Sequence, residues 1–426
     1  MNMYDSELVA GILTNEGMNT TNYINDADVI LINTCSVRAH AEERALSHVM
    51  QLTHLKKKRP GLKIGLLGCM TRRPGSRLLE DYPGIDFVVG PEGYRLLPAL
   101  LRDEPLQGDP LKVGYEDYEN IIPLRKTSLS AYVAISRGCN EECTYCIVPY
   151  TRGGERSRSS AEIIKEVEQL LKQGFKEITL LGQNVNSYRD SSLNFAALLD
   201  RISRMDSNLR IRFATSHPMN ISEGIFEIMA QRENICKHLH LPVQSGSARI
   251  LELMKRRYTH QQYLSIVEKA RSLMPEIAIT TDIISGFPTE TEEDHEATVQ
   301  LVREIQFENA FTFKYSPREG TEAFSLVDDV PEDVKVRRLE AVSHLVRDSM
   351  VERNQSMIGQ VVSVLVEKTS RRSDEMMVGR TGTNKKVLIS SDFVEPGFTV
   401  NVLITGCTSQ SLFGAIYTPE KAHALA

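Results

Sequence analysis

Apolar runs and helical patterns alternate along the N-terminal part of the chain. Apolar residues recur at helical spacing between Leu8 and Leu13, and short strand-like runs follow at 29–32, 64–67 and 87–89. Such alternation is typical of a parallel sheet covered by helices. We therefore predict an N-terminal α/β domain of three layers at 1–104. The chain opens on the helix, so the strand expected in front of it is missing.

A segment rich in proline and glycine interrupts the alternation and predicts a linker at 105–125. Six strand-and-helix units follow within about 190 residues, fewer than the ~250 of a complete eight-unit barrel. We therefore predict a partial (β/α)6 barrel at 126–355. Its strand-like runs lie at 132–135, 178–181, 211–213, 238–241, 278–281 and 311–313. Two helix starts carry a predicted capping box, Ser159 with Glu162 and Thr289 with Glu292.

The last segment, 356–419, has a different pattern. Short strand-like runs are broken by Gly, Ser, Asn and Pro, without helical patterns between them; they lie at 361–366, 376–379, 386–389, 399–404 and 412–416. This pattern predicts a small antiparallel β-barrel of the oligonucleotide-binding type. The expected fold class is α/β, with three domains.

Composition and charge exclude several classes of protein. Hydrophobic residues make up 41% and charged residues 25% of the 426 residues, as in soluble globular proteins. No apolar run approaches the ~18 residues of a membrane span, and Met1–Glu7 lacks the features of a secretory signal. We expect a cytoplasmic protein without a membrane partner. The net charge of −6 disfavours nucleic-acid binding by the whole surface, although basic runs exist at 56–59, 371–372 and 385–386.

Three of the seven cysteines form a compact motif. Cys139, Cys143 and Cys146 follow the first barrel strand as C-x3-C-x2-C. A structural zinc normally needs four protein ligands, whereas a four-iron cluster on three cysteines leaves one iron open for chemistry. The spacing favours the cluster. A zinc site with a remote fourth ligand and three unliganded thiols are the alternatives.

Two further cysteines occupy equivalent positions in the N-terminal domain. Cys35 and Cys69 each follow a strand-like run, so both belong at the carboxyl edge of one sheet. They are either two ligands of a shared metal site, which would need a third ligand, or two unrelated packing residues. Cys236 and Cys407 lack such a context and are interpreted as packing residues.

Polar and glycine-rich turns end the other barrel strands. They are Gly182-Gln183-Asn184, Thr215–Pro218, Gln244–Ser247 and Asp282–Gly286. Each turn alone is a weak signal. Because ligands of β/α barrels bind at the carboxyl ends of the strands, the turns together predict one cavity.

The motifs resemble one known family. Residues 137–153, including the three cysteines, resemble the radical-SAM signature of the methylthiotransferases. Segments 181–188, 214–218 and 240–247 resemble its tRNA branch, the MiaB family. Asn33–Arg38 with Gly68-Cys69 resembles the N-terminal cluster domain of that family, and residues from about 357 to 419 resemble a TRAM domain.

The resemblance implies a transferase that adds a methylthio group to C2 of N6-isopentenyladenosine 37 in tRNA. It implies a [4Fe–4S] cluster on Cys139, Cys143 and Cys146 that binds S-adenosylmethionine (SAM), and an auxiliary [4Fe–4S] cluster on Cys35 and Cys69. Expected SAM contacts are Gln183, Gln244, Asp282 and Gly286, and expected RNA contacts are Arg371, Arg372, Arg380, Lys385 and Lys386. Expected partners are the tRNA anticodon arm, an external reductant such as flavodoxin or ferredoxin, and a sulfur donor.

The sequence departs from the family at its start. The family carries a third auxiliary cysteine just before a Met-Asn-x-x-Asp-Ser-Glu stretch, which here is Met1–Glu7. We therefore expect an N-terminally shortened chain with an incomplete auxiliary cluster; the alternative is a genuine variant that uses two thiolates. The alternative functions are methylthiolation of a ribosomal protein or of another tRNA adenosine, and RNA binding by a non-catalytic iron–sulfur protein.

Overall fold

The computed structural model describes residues 1–36, 39–72, 75–111, 116, 118–127, 129–191, 193–371, 376–390 and 394–417, with only the backbone at 39 and 40. Of the predicted functional residues Arg372 lies outside this part of the chain, as do Val37 and Arg38 of the N-terminal motif. Among the described helices, none has the length and apolar character needed to cross a membrane.

The N-terminal domain is a parallel three-stranded sheet with helices on both faces. Its elements are α1 (Asn2–Asn15), β1 (Val29–Thr34), α2 (Ala39–Thr53), β2 (Lys63–Gly68), α3 (Arg77–Asp81), β3 (Phe87–Val89) and α4 (Leu97–Leu101). Strand order is β1-β2-β3. Because side chains alternate along a strand, Leu66 packs with Val49 of α2, whereas Leu67 packs with Leu8 of α1. The predicted three layers are confirmed.

The central domain contains six main parallel strands with helices between them. Its elements are β4 (Ser130–Ala134), β5 (Ser136–Arg137), α5 (Val148–Arg152), β6 (Arg156–Ser157), α6 (Ser160–Lys172), β7 (Glu177–Leu181), β8 (Arg189–Asp190), β9 (Leu193–Asn194), α7 (Phe195–Ser203), β10 (Arg210–Ala214), α8 (Glu223–Gln231), β11 (His238–His240), α9 (Ala248–Leu253), α10 (His260–Leu273), β12 (Ala278–Ser285), α11 (Glu292–Ile305), β13 (Asn309–Lys314) and α12 (Glu332–Gln355).

These strands form two parallel sheets of three, β4-β7-β10 and β11-β12-β13. A parallel bridge between Ile211 of β10 and Ile235, just before β11, joins them. One apolar core runs through both sheets and their helices, and it includes Ile178, Ile211 and Ile279. The predicted partial barrel of six units is confirmed.

Two helix starts differ from the predicted capping boxes. The side chain of Ser159 makes no capping hydrogen bond with any described residue; Asp190 Oδ2 instead accepts the Ser160 N–H at 2.7 Å. Helix α11 begins later than predicted, with Thr291 as its N-cap and Asp294 completing the capping box. The predicted cap, Thr289, lies before the helix with φ of +67°.

The C-terminal domain is a closed five-stranded barrel, as predicted. Its strands are β14 (Val361–Thr369), β15 (Met376–Thr381), β16 (Lys386–Ser390), β17 (Thr399–Cys407) and β18 (Leu412–Ile416). One pairing corrects the prediction of a wholly antiparallel barrel, because β16 pairs with β18 in parallel. The hairpin between β15 and β16 rests on the first residues of β7 and β10, at the amino-terminal end of the central strands: Arg212, which pairs with Glu177, donates to the Thr381 carbonyl at 2.7 Å.

Candidate active site

The three-cysteine loop begins at a turn that requires glycine. Gly138 follows β5 with φ of +76°, and a Cβ there would lie 2.0 Å from the Gly154 carbonyl oxygen. Its N–H donates to Gln183 Oε1 at 2.6 Å, and the Cys139 N–H donates to the Gly153 carbonyl at 3.2 Å. These contacts hold the start of the loop against the end of β7 and the turn after α5.

The three thiols are half-buried and close enough to influence each other electrostatically. Burial raises the pKa of Cys139 to about 11 and that of Cys146 to about 12, and the neighbouring thiolate charges add to both shifts. Among the described residues, no three His, Cys, Asp or Glu side chains converge on the position of one metal ion. A cluster does not require such convergence, because each thiolate binds a different iron.

Arg256 contacts this loop, and the sequence analysis missed it. Its Nη1 lies 3.5 Å from the Cys143 sulfur, while Nη2 donates to the Pro242 carbonyl at 2.8 Å. The guanidinium group is buried and also donates to the Tyr258 hydroxyl at 3.0 Å. Arg256 therefore places a positive charge beside one predicted cluster ligand. In the sequence it lies in a run of three basic residues, a pattern that usually indicates a solvated face.

Buried polar atoms without partners among the described residues lie at or just after the ends of five of the six main strands. Among the described residues, none accepts from or donates to the following side-chain atoms: Ser136 Oγ, Asn184 Oδ1 and Nδ2, Ser216 Oγ, Gln244 Oε1 and Ser285 Oγ. An unpaired buried polar group costs about 1–3 kcal/mol. A ligand with several hydrogen-bonding groups would remove this cost, so the predicted cavity edge suits a polar cofactor such as SAM.

The four predicted SAM contacts have different surroundings. Gln183 already accepts the Gly138 N–H, and Asp282 Oδ2 lies 3.4 Å from His240 Nε2. Gln244 has φ of +70°, which is strained for a residue with a Cβ, and its Oε1 is one of the unpaired atoms. Gly286 has φ of +74°, and a Cβ there would lie 2.2 Å from the Lys335 side chain. Gln244 is thus the one of the four with a free buried acceptor among the described residues.

His217 is a second residue of the predicted turns with an unusual environment. Its ring is buried, and Nε2 lies 3.7 Å from Glu141 Oε2, in the cysteine loop. Asn220 donates to the other carboxylate oxygen of Glu141 at 2.7 Å. Burial and, to a smaller extent, the Arg256 charge lower the pKa of His217 to about 3. The imidazole is therefore neutral at physiological pH.

Cys35 and Cys69 lie next to each other at the carboxyl edge of the N-terminal sheet. Thr34 and Gly68, the last residues of β1 and β2, are register partners, and a cysteine directly follows each strand. Cys69 is buried and Cys35 is half-buried. Burial raises the pKa of the Cys69 thiol, and the guanidinium group of Arg152, which donates Nε–H to the Cys69 sulfur at 3.0 Å, opposes that shift.

The predicted RNA contacts are distributed over two surfaces. Arg371 is exposed and Lys386 is half-buried, whereas Arg380 Nε pairs with Glu367 at 3.1 Å. Lys385 is 10% exposed; it pairs with Glu308 of the central domain and donates to Asn354 Oδ1. Arg380, Lys385 and Lys386 line a cavity of about 230 Å³ between the terminal barrel and the central domain. An RNA contact by Lys385 would require its protein contacts to be given up.

Three family models match the chain in the order of its domains. The model described as uncharacterized protein family UPF0004 matches residues 1–90, that of the radical SAM superfamily matches 133–302, and that of the TRAM domain matches 355–417. Among solved structures, the radical S-adenosylmethionine methyltransferase TsrM from Kitasatospora setae has a TM-score of 0.59 at 17% identity, covering 76% of this chain and 74% of that chain. This likeness shows the radical-SAM fold.

Curated relatives match over nearly their whole length. The tRNA-2-methylthio-N(6)-dimethylallyladenosine synthase of Chlorobaculum tepidum is 45% identical over 97% of this chain and 95% of that protein. The enzyme of the same name from Chloroherpeton thalassium is 45% identical, with coverage of 97% and 93%. Given this identity over all three domains, the chain belongs to the family of tRNA-2-methylthio-N(6)-dimethylallyladenosine synthases and is a radical-SAM enzyme.

Proposed function

We infer that this enzyme adds a methylthio group to the dimethylallyladenosine of tRNA, at C2 of the base at position 37. As a radical-SAM enzyme it uses an iron–sulfur cluster and SAM. The observation that carries the assignment is the three-cysteine loop, placed at an edge where five strands end in unpaired buried polar atoms among the described residues. An aromatic C–H resists acid–base and nucleophilic attack, so a radical cofactor suits this substrate.

The chain's own residues hold and orient that cofactor. Cys139, Cys143 and Cys146 are the proposed ligands of the SAM-binding [4Fe–4S] cluster. Gly138 and Gln183 fix the start of their loop, and Arg256 offsets the negative charge of the Cys143 thiolate. When bound, the cluster and SAM supply the one-electron chemistry that the inert C–H bond needs.

Cys35 and Cys69 are the proposed ligands of an auxiliary [4Fe–4S] cluster that serves the sulfur transfer. Their positions directly after two paired strands support a shared site, and the sequence supplies two cysteines at this edge. With two protein thiolates, this cluster is incomplete compared with one held by three. The sulfur donor and an external reductant, such as flavodoxin or ferredoxin, complete the proposed set of partners.

The TRAM barrel is the proposed contact for the tRNA anticodon arm, in a cytoplasmic enzyme. Closed barrels of the oligonucleotide-binding type bind single strands and loops, and the exposed Arg371 supports a backbone contact on this domain. The target adenosine has to leave its stack to reach the cysteine loop, as is usual for enzymes that modify a base.

An anaerobic assay tests this function. Reconstituted protein is incubated with isopentenylated tRNA, SAM and dithionite, and the nucleosides are analysed by mass spectrometry. We expect 5′-deoxyadenosine and a 2-methylthio nucleoside, and neither product from a Cys143→Ala variant. Formation of the methylthio group on a ribosomal protein in a parallel reaction, with unmodified tRNA, would contradict the tRNA assignment. Absence of both products would contradict the enzymatic role.

A further inference from the structure

A buried pair of arginines connects the two cysteine sites through one carboxylate. Asp5 of α1 is fully buried, and its Oδ2 accepts from Arg152 Nη2 at 2.7 Å. Its other oxygen, Oδ1, lies 3.0 Å from Arg137 Nη1. Arg137 lies two residues before Cys139, and Arg152 lies six residues after Cys146. The carboxylate of the N-terminal domain thus holds both ends of the segment that carries the three cysteines.

Arg152 reaches from the central domain to a cysteine of the N-terminal domain. While Nη2 binds Asp5, Nε donates to the Cys69 sulfur at 3.0 Å across the domain boundary. The side chain is 5% exposed, so neither contact is exchanged freely with water. Because a planar guanidinium group fixes the directions of its N–H bonds, the contact with Asp5 also sets the direction of the donor that reaches the sulfur.

The local charges favour a negative partner at Cys69. Asp5 carries one negative charge between two buried guanidinium groups. Among the described residues, Arg152 Nη1 and both Nε and Nη2 of Arg137 have no hydrogen-bond acceptor. Buried charges are costly unless they are paired. Thiolates bound to an iron–sulfur cluster would supply negative charge beside the unpaired guanidinium N–H groups of Arg152.

We propose that Arg152 is a positioning residue of the auxiliary site: held in place by Asp5, it donates a hydrogen bond to the Cys69 sulfur and thereby raises the reduction potential of the cluster bound there. The inference rests on the proposed function only for the existence of that cluster. Hydrogen bonds to cluster sulfurs tune the potential, and a nearby positive charge stabilises the reduced, more negative cluster. Loss of the guanidinium group therefore shifts the potential downwards.

The experiment is an EPR-monitored redox titration of the reconstituted protein, residues 1–426, with Arg152→Gln and Arg152→Lys variants. Addition of SAM perturbs the cluster on Cys139, Cys143 and Cys146, and a Cys143→Ala variant, which lacks one of these ligands, shows the auxiliary signal alone. Arg125→Gln is the matched control. The Arg125 side chain is also largely buried at the boundary with α1, 8% exposed, but it pairs with the carboxylates of Glu7, at 2.7 Å, and Glu166.

We expect Arg152→Gln to shift the auxiliary signal to lower potential and to leave the SAM-responsive signal unchanged. Arg152→Lys keeps the positive charge, but a single ammonium group cannot donate to Asp5 and Cys69 in the directions that the guanidinium group uses. The auxiliary potential of this variant should therefore lie between those of wild type and Arg152→Gln. Arg125→Gln should retain the wild-type potential. If wild type and Arg152→Gln had equal auxiliary potentials, or if Arg125→Gln shifted the auxiliary potential as much as Arg152→Gln, the role of Arg152 would be refuted. The proposed auxiliary site would still stand. A wild-type protein with only the SAM-responsive cluster would overturn the role of Arg152 together with the proposed auxiliary site.

Discussion

Cys139, Cys143 and Cys146 lie on one continuous loop, whereas Cys35 and Cys69 are brought together by the register of two parallel strands. Each site also has an arginine beside one sulfur: Arg256 lies 3.5 Å from Cys143, and Arg152 lies 3.0 Å from Cys69. The difference lies in where the arginine comes from. Arg256 belongs to the same domain as its cysteine, while Arg152 crosses a domain boundary. The arginine beside the loop site therefore needs no other domain, whereas the arginine beside the sheet site reaches its sulfur only when the domains dock.

The largest expected effects separate the two cysteine sites. Cys143→Ala should reduce both 5′-deoxyadenosine and the methylthio nucleoside to background, because the SAM-binding cluster loses one of three ligands. Cys69→Ala should remove the methylthio nucleoside and retain 5′-deoxyadenosine. Both products are measured by mass spectrometry after anaerobic turnover. If Cys69→Ala also abolished 5′-deoxyadenosine, the two sites would not be independent.

Removal of the arginine from the loop site should have the next largest effect. Arg256→Gln should slow SAM cleavage by about 10–100-fold, the usual cost of losing a residue that supports a metal ligand. The rate of 5′-deoxyadenosine formation is the measurement, with iron content as a check on assembly. Arg257→Gln is the control, because that side chain is 72% exposed and pairs with Glu142 at the surface. Equal rates for the two variants would show that contact with the sulfur is unimportant.

The neutral His217 predicts a pH dependence of stability. Its pKa in the folded protein is about 3, below the ordinary value of ~6.5, so unfolding takes up a proton between these values. The stability that it contributes is present above pH 6.5 and decreases as the pH falls towards 3, by up to about 1.4 kcal/mol per pH unit.

The metal-free His217→Asn variant should therefore lose less stability than wild type between pH 6.5 and pH 5, as measured by urea unfolding. An exposed histidine, His54, provides the control, since His54→Asn should follow the wild-type pH profile. The interpretation fails if the wild-type and His217→Asn profiles run parallel.

The smallest expected effects distinguish two basic residues of the terminal barrel. Arg371→Ala should weaken tRNA binding modestly and decrease the salt dependence of log K by about 0.7–0.9, the contribution of one phosphate contact. Lys385→Ala leaves Glu308 without its cation, so it should speed hydrogen exchange in the hairpin between β15 and β16. Binding titrations at several salt concentrations and exchange mass spectrometry are the measurements. If the salt dependence of tRNA binding were weaker for Lys385→Ala than for Arg371→Ala, Lys385 rather than Arg371 would be the phosphate contact.

Local pattern was enough to predict the folds of the three domains, the six-unit barrel and the positions of five cysteines after their strands, whereas Cys407 lies in β17 beyond its predicted end at 404. These features depend on residues that are close in sequence. Contacts over long sequence separations were not predictable in this way: Arg256 and Cys143 are 113 residues apart, and Arg152 and Cys69 are 83 residues apart. In the sequence, Arg152 and Lys385 look like other basic residues, and only the docking of domains gives them specific acceptors.

Small shifts of local structure were also missed for physical reasons. Two threonines before α11, Thr289 and Thr291, each have an acidic residue at capping-box spacing. Thr291 is the N-cap, because Thr289 adopts a positive φ. At the start of α6, Asp190, which is distant in sequence, accepts the Ser160 N–H in place of the Ser159 side chain. The parallel pair of β16 and β18 reflects closure of the barrel, which no single strand pattern displays.

The docking of the terminal barrel sets a minimum length for the substrate. Its hairpin rests at the amino-terminal end of the central strands, whereas the cysteine loop follows their carboxyl ends. A strand such as β7, with five residues, spans about 17 Å at ~3.3 Å per residue. An RNA that touches the terminal barrel and presents a base to the cysteine loop has to extend at least this far along the central domain. A free nucleoside is too short to use both surfaces, and a folded stem-loop is long enough.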